Sequence, residues 1–227
     1  YVRPFLERYP AEEEAFRQML AEGRLQIVGG TDVMPDVNMP SGESFVRQIQ
    51  YGRRYFRERL GLDVTVGWQL DTFGHHAQMP QIMKLAGYRS FWFFRGVANW
   101  DVPSEFVWQG LDGSRLPAYW LAHGYAIGYG SPKTLPEFTQ FMHERFHLLD
   151  RQSRLAHRAA PAGADVCEPE DWVAALAEQF NALPEREFDL HIAVPGDYER
   201  AVGPTDDWPI ITGELNPIFQ GAYSSRI

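Results

Sequence analysis

Three side chains occupy positions from which acid, base or nucleophilic chemistry is done. Asp71 follows an alternating run, Val64 to Leu70, whose β-branched and aromatic residues suit a strand. Gly74 breaks that run, and apolar residues from Ala77 to Ala86 then recur at helical spacing before Gly87. Arg95 ends the next strand-like run, Phe91 to Phe94, and Asp197 sits in a Pro195-Gly196-Asp197 turn after a third, Phe188 to Val194. In β/α architectures the carboxyl ends of the strands converge on one crevice, which carries the active site. The expectation is a carboxylate and a guanidinium on one rim, with a second carboxylate in an equivalent position. Carboxyl groups so placed act as nucleophile and as proton donor or acceptor.

The elements that position these residues are legible from pattern. Val2 to Tyr9 and Ala11 to Ala21 read as helices divided by Pro10, and Leu25 to Val28 as a short buried strand. A glycine- and proline-rich loop, residues 29–44, follows; Asp36 there makes an Asx turn or touches substrate. Ser41 is a helix cap, and Phe45, Ile49, Phe56 and Leu60 repeat at helical intervals up to Gly61. Asp112-Gly113 between strand-like runs predicts a hairpin near residues 105–121, read as an excursion from a β/α core. Leu135 to about Ala160 reads as one helix, Ala160-Pro-Ala-Gly-Ala as a breaker and Glu170 to Leu183 as another helix. Histidines 123, 143, 147, 157 and 191 show no ligand spacing.

Composition narrows the function classes. With 227 residues, 44% of them hydrophobic, the chain is one domain with a sizeable core. A net charge of −9, without a basic run, disfavours nucleic acid as a partner and suits a neutral, hydroxyl-rich one. The single cysteine, Cys167, excludes an internal disulfide, and no apolar stretch is long enough to span a bilayer. The absence of a visible signal peptide points to the cytoplasm, and a first residue other than methionine points to a fragment. Seven tryptophans within a 14% aromatic content fit sugar recognition and a large core equally.

Several separated segments together resemble glycoside hydrolase family 38, the retaining class II α-mannosidases. They are Gly29-Gly30, Pro35-Asp36, Pro40-Ser-Gly-Glu-Ser44, Gly67-Trp-Gln-Leu-Asp-Thr-Phe-Gly-His75, the Trp108 to Ser114 hairpin, Gly196-Asp197, Thr212-Gly-Glu-Leu215 and Tyr223-Ser-Ser-Arg226. The resemblance implies a fold, α/β, in the form of an incomplete seven-stranded β/α barrel of the glycoside hydrolase and deacetylase type, spanning residues 1–227 as a single truncated catalytic domain. It implies that Asp71 is both the nucleophile and a ligand of one zinc ion, that Arg95 lies beside it, and that Asp197 is the general acid/base. His75 supports the loop, and Tyr223 is a core residue or a substrate contact. The implied partner is an α-mannoside or a mannose-containing oligosaccharide, with a homo-oligomer open for a full-length protein. The family's other zinc ligands, a His-x-Asp pair and a further histidine, have no counterpart here, because no His-x-Asp occurs and no histidine precedes His75.

Two rivals belong to other classes. A metal-dependent polysaccharide deacetylase would use Asp-Asp and His-x-x-x-His signatures on a related barrel; a truncated carbohydrate-binding remnant would keep the fold without turnover.

Overall fold

The computed structural model describes residues 1–216. Tyr223 therefore lies outside the described residues. Seven α-helices, a 3-10 turn at Pro10–Glu12 and five strands are described: α1 (Val2–Arg8), α2 (Glu13–Ala21), α3 (Gly42–Leu60), β1 (Val66–Gln69), α4 (Met79–Leu85), β2 (Ser90–Phe93), β3 (Glu105–Gln109), β4 (Arg115–Trp120), α5 (Leu135–Asp150), α6 (Val173–Asn181), α7 (Pro195–Val202) and β5 (Ile210–Thr212). No helix among them is long and apolar enough to cross a membrane.

The strands form one mixed sheet in the order β1-β2-β4-β3-β5. The β1-α4-β2 unit is the expected parallel crossover, paired from Val66 with Ser90 to Gln69 with Phe93. The hairpin also forms at Asp112-Gly113, but it is no excursion: β4 pairs in parallel with β2, and β3 carries β5. The sheet is thus α/β and mixed.

Period-two alternation divides the core. Phe91, Phe93, Phe106, Trp108, Leu116 and Ala118 pack on one face against Phe45 and Ile49 of α3 and Met79 and Met83 of α4. Trp92, Val107, Tyr119 and Leu121 pack on the other with Trp208 and, from α7, Tyr198. Successive strand residues point to opposite faces, so one aromatic-rich sequence fills two layers. A smaller cluster around Phe138, Leu176 and Phe180 joins α5 to α6.

Three elements depart from expectation. Residues 25–28 are no strand; the chain there runs beside β1, with the Gly29 N–H donating to the Val66 carbonyl at 2.9 Å. Residues 188–194 are no strand either. The Asn181 amide donates to the Leu190 carbonyl at 2.7 Å and accepts from its N–H at 2.8 Å, and the Asp197 carboxylate accepts from the Val194 N–H at 3.0 Å. Helix α5 stops at Asp150, where the chain turns so that Ser153 Oγ can donate to buried Glu105 Oε2 at 2.8 Å. Strand β5 is only three residues long and carries no alternation in sequence that marks it.

Helix α3 begins as its sequence dictates: Ser41 Oγ accepts from the Ser44 N–H at 3.2 Å. Replacing Ser41 by Ala is expected to cost about 1 kcal/mol and to lower the thermal midpoint by roughly 2–4 °C. Calorimetry of the two proteins side by side checks this.

Candidate active site

The pairing of β1 with β2 places each residue of one strand beside the residue 24 positions on, and the same spacing carries Asp71 to Arg95 just beyond both strands. Arg95 Nε donates to Asp71 Oδ1 in a short contact, and the Arg95 N–H reaches the Leu70 carbonyl at 3.4 Å. The guanidinium carbon lies 4.8 Å from the centre of the Phe73 ring and 5.1 Å from that of Phe94. Such cation–π contacts hold the cation in place without competing for the carboxylate. Asp71 remains accessible, its side chain 38% exposed.

Behind Asp71 the loop is locked. His75 and Leu215 exchange two backbone hydrogen bonds, each 2.9 Å, so the segment after β5 is bolted to the loop after β1. Two glycines permit the approach. Gly74 has φ +144° and a Cβ there would stand 2.1 Å from Asn216 Oδ1; Gly96 has φ +128° and a Cβ would stand 2.5 Å from the Leu215 carbonyl oxygen. Asn216 Oδ1 also accepts from Asn38 Nδ2 at 3.0 Å, which ties in the 35–39 loop.

Asp36 in that loop makes the Asx turn: its Oδ1 accepts from the N–H groups of Asn38 and Met39 at 2.6 and 2.8 Å. Its Oδ2 is buried without a partner. The adjacent Pro35 carbonyl accepts from Thr72 Oγ1 at 3.4 Å, so the turn abuts the residue next to Asp71.

His75 is fully buried, its ring edge-on to Phe91 at 5.1 Å and Phe93 at 5.4 Å. Neither ring nitrogen has a well-formed hydrogen bond. Burial pushes its pKa down to about 3, opposed by the nearby Arg95 backbone and reinforced by His76. It packs beneath the loop as a buried ring, and burial disfavours its charged form.

Asp197 is not brought to Asp71. It lies in the first turn of α7, where it caps the Val194 N–H and pairs with Arg200. Gly196 and Arg200 line a cavity with Val64 and Thr65, which precede β1, and Glu199 accepts from Ser90 Oγ at the start of β2. Asp197 thus belongs to the amino-terminal edge of the sheet, whereas Asp71 lies beyond the carboxyl ends.

A different carboxylate faces the rim. Asp165, in the loop between α5 and α6, accepts from Tyr125 Oη at 3.2 Å through Oδ2. The Tyr125 ring stands edge-on to Phe94 at 5.8 Å, next to Arg95. Its phenol is pushed up by burial, by the charge of Asp71 and by the hydrogen bond to Asp165, while Arg95 acts the other way. Tyr125 therefore senses Asp71, Arg95 and Asp165 together. Asp165 and Tyr125 help line an open cavity with Phe94, His123 and Gly124. Trp100, 56% exposed, extends the aromatic surface with ring centres 5.5 Å from Trp120 and 5.6 Å from His123.

The glycosyl hydrolases family 38 N-terminal domain matches residues 1–217. The chain belongs to glycoside hydrolase family 38. Among relatives, alpha-mannosidase G of Dictyostelium discoideum is 38% identical over 115 residues, covering 48% of this chain and 10% of its own length. Human alpha-mannosidase 2C1 is 39% identical over 114 residues, covering 48% and 11%. The crystal structure of an alpha-mannosidase from Enterococcus faecalis superposes with a TM-score of 0.82 at 28% identity, covering 95% of this chain and 25% of that one. The family 38 chain described here thus spans about a tenth of those curated relatives and a quarter of the solved structure.

The zinc ion that the family resemblance implies needs about four ligands, usually His, Asp or Glu. Among the described residues, no group of three or more His, Cys, Asp or Glu ligand atoms includes Asp71. The described part of this family 38 domain does not complete a zinc site at Asp71.

Two outcomes follow from the locked loop. Gly96→Ala is expected to destabilise the protein by at least about 2 kcal/mol, since it adds backbone strain to a collision with a backbone oxygen; the thermal midpoint should fall by roughly 4–8 °C. For His75, the unfolded imidazole takes up a proton near pH 6.5 and the folded one only near 3. Between those values the unfolded chain binds more protons, so stability falls as pH drops, by up to about 1.4 kcal/mol per pH unit. His76, also lowered by burial, adds in the same direction. Urea unfolding between pH 7 and 4 should show a shallower acid slope in His75→Phe than in the parent; equal slopes would rule out this origin.

Proposed function

We propose that this chain is the nucleophile-bearing part of a retaining α-mannosidase, acting on an α-mannoside or a mannose-containing oligosaccharide. The observation that carries this reading is the placing of Asp71 against Arg95 at the carboxyl edge of parallel strands, within a family 38 domain. On this reading the five-stranded sheet is part of a seven-stranded β/α barrel and the chain is part of a single catalytic domain. Neither a deacetylase nor a sugar-binding remnant is favoured by relatives that are named alpha-mannosidases.

Retention requires two carboxyl groups on opposite sides of the anomeric carbon. Asp71 attacks that carbon, with its other oxygen held by Arg95, and the glycosidic bond breaks. Asp165 takes the place that sequence spacing gave to Asp197: carrying the proton, it delivers it to the departing oxygen. In the second half it removes a proton from water, which attacks the anomeric carbon and frees Asp71. Tyr125, hydrogen-bonded to Asp165, orients that carboxyl group. Trp100 offers an apolar face for the C–H surface of a sugar ring, and Asp36 braces the loop beside Thr72.

Hydrolysis of aryl α-mannosides by the full-length protein and its variants tests the reading. Asp71→Asn should lower kcat/KM by at least about 10³-fold whatever the leaving group. Asp165→Asn should cost roughly 10²–10⁴-fold with a poor leaving group and much less with dinitrophenolate, which departs without a proton. Asp197→Asn should stay within about two-fold, as a surface change away from the chemistry does. Loss of activity in Asp197→Asn with Asp165→Asn unimpaired would reverse the assignment.

A further inference from the structure

A second set of ligand-type side chains lies away from Asp71. His143 and His147 stand one turn apart on α5, and residues four apart on a helix share a face. Glu187 comes to the same place from the segment between α6 and α7. One ligand atom from each of the three lies within 4.8 Å of the others. Glu187 Oε2 is 3.4 Å from His143 Nδ1 and 3.6 Å from His147 Nε2.

These separations are longer than the 2.7–3.2 Å of an N–H···O hydrogen bond. They are close to the spacing that a shared cation imposes. Ligands about 2.0–2.1 Å from a tetrahedral zinc ion stand about 3.3 Å from one another. One carboxylate oxygen set almost equally from two imidazole nitrogens is the arrangement such an ion would bridge.

The surroundings hold the donors in place. The His143 ring lies 5.1 Å from Phe188 and 5.9 Å from Phe180, and Phe146 beside His147 stacks on Phe188 at 4.2 Å. The segment bearing Glu187 is pinned on both sides, by Arg186 to Asp189 and by Asn181 to Leu190. The side chains are 32%, 61% and 48% exposed, so an ion and a completing water can reach them.

We propose that His143, His147 and Glu187 form a binding site for a divalent transition cation, with zinc the probe of choice, distinct from the site at Asp71. Two imidazoles and one carboxylate select zinc, nickel or copper over calcium and magnesium, whose ligands are oxygens. The bound ion staples α5 to the 182–190 segment. Ligand binding to the folded state alone also raises the thermal midpoint.

The experiment compares the protein with His147→Ala and Glu187→Gln, both at exposed positions, and with Asp71→Asn. Zinc is titrated calorimetrically, cobalt(II) is added to read coordination from its visible absorption, and trypsin cuts after Arg186. The expected result is one zinc bound in the parent and in Asp71→Asn, with affinity lower by about 100-fold or more in His147→Ala and Glu187→Gln. Cobalt should give the intense absorption of a four-coordinate site, and zinc should slow cleavage after Arg186 several-fold in the parent and not in His147→Ala. Zinc affinity unchanged in both ligand variants, or no zinc binding at all in Asp71→Asn, overturns the proposal. Because these readouts are independent of turnover, failure of the mannosidase reading leaves them intact, and their failure leaves that reading intact.

Discussion

The structure depends on the register between two short parallel strands. Because Val66 pairs with Ser90, every later pair is fixed, and two residues beyond the last pair of the ladder, Gln69 with Phe93, a carboxylate and a guanidinium face each other. A one-residue slip would part Asp71 from Arg95 and would also exchange the two core faces of the strand that slipped. The large aromatic side chains of β2 make that costly: Phe91 and Phe93 fill one layer and Trp92 the other. The packing that stabilises the sheet and the geometry that arms its edge are therefore the same constraint.

The loop after β1 has to be held as well as aimed. Its two backbone bonds to Leu215 satisfy groups that would otherwise be buried without partners, and the bare Cα positions of Gly74 and Gly96 make the approach possible. Beneath it, a neutral His75 fills aromatic space as a ring with little charge to solvate. Above it, Arg95 sits between two rings and beside the carboxylate. Rigid support from elements rather than from mobile side chains is what a reacting group requires.

What the sequence disclosed follows from how local each signal is. Asp71 and Arg95 end runs whose alternation and breakers lie within a few residues, so both strands and their edge were readable. The hairpin turn was readable too, but its membership of the sheet was not, because pairing of β4 with β2 is decided by tertiary contacts. Asp197 misled because a Pro-Gly-Asp turn after an apolar run looks the same whether the run is a strand or, as here, a segment pinned by Asn181. Asp165 stands one residue past the Ala160 to Ala164 breaker, and nothing within that stretch indicates that Tyr125 will receive it. No ligand spacing was read in His143 and His147, although four residues apart in a segment read as helix they share a face; the third member, Glu187, is supplied only by the fold.

The contact between His75 and Leu215 also bears on the order in which the protein is made. A ribosome releases the strand that bears Asp71 long before the residues that brace it. Until β5 and Leu215 have emerged, β3 lacks its outer partner and the loop after β1 keeps unpaired backbone groups. Pairings between residues far apart in sequence are slow to form because the intervening chain must first be closed. The edge that bears Asp71 is therefore fastened only after residue 215 has emerged, and a nascent chain halted before that point would leave the loop after β1 unbraced.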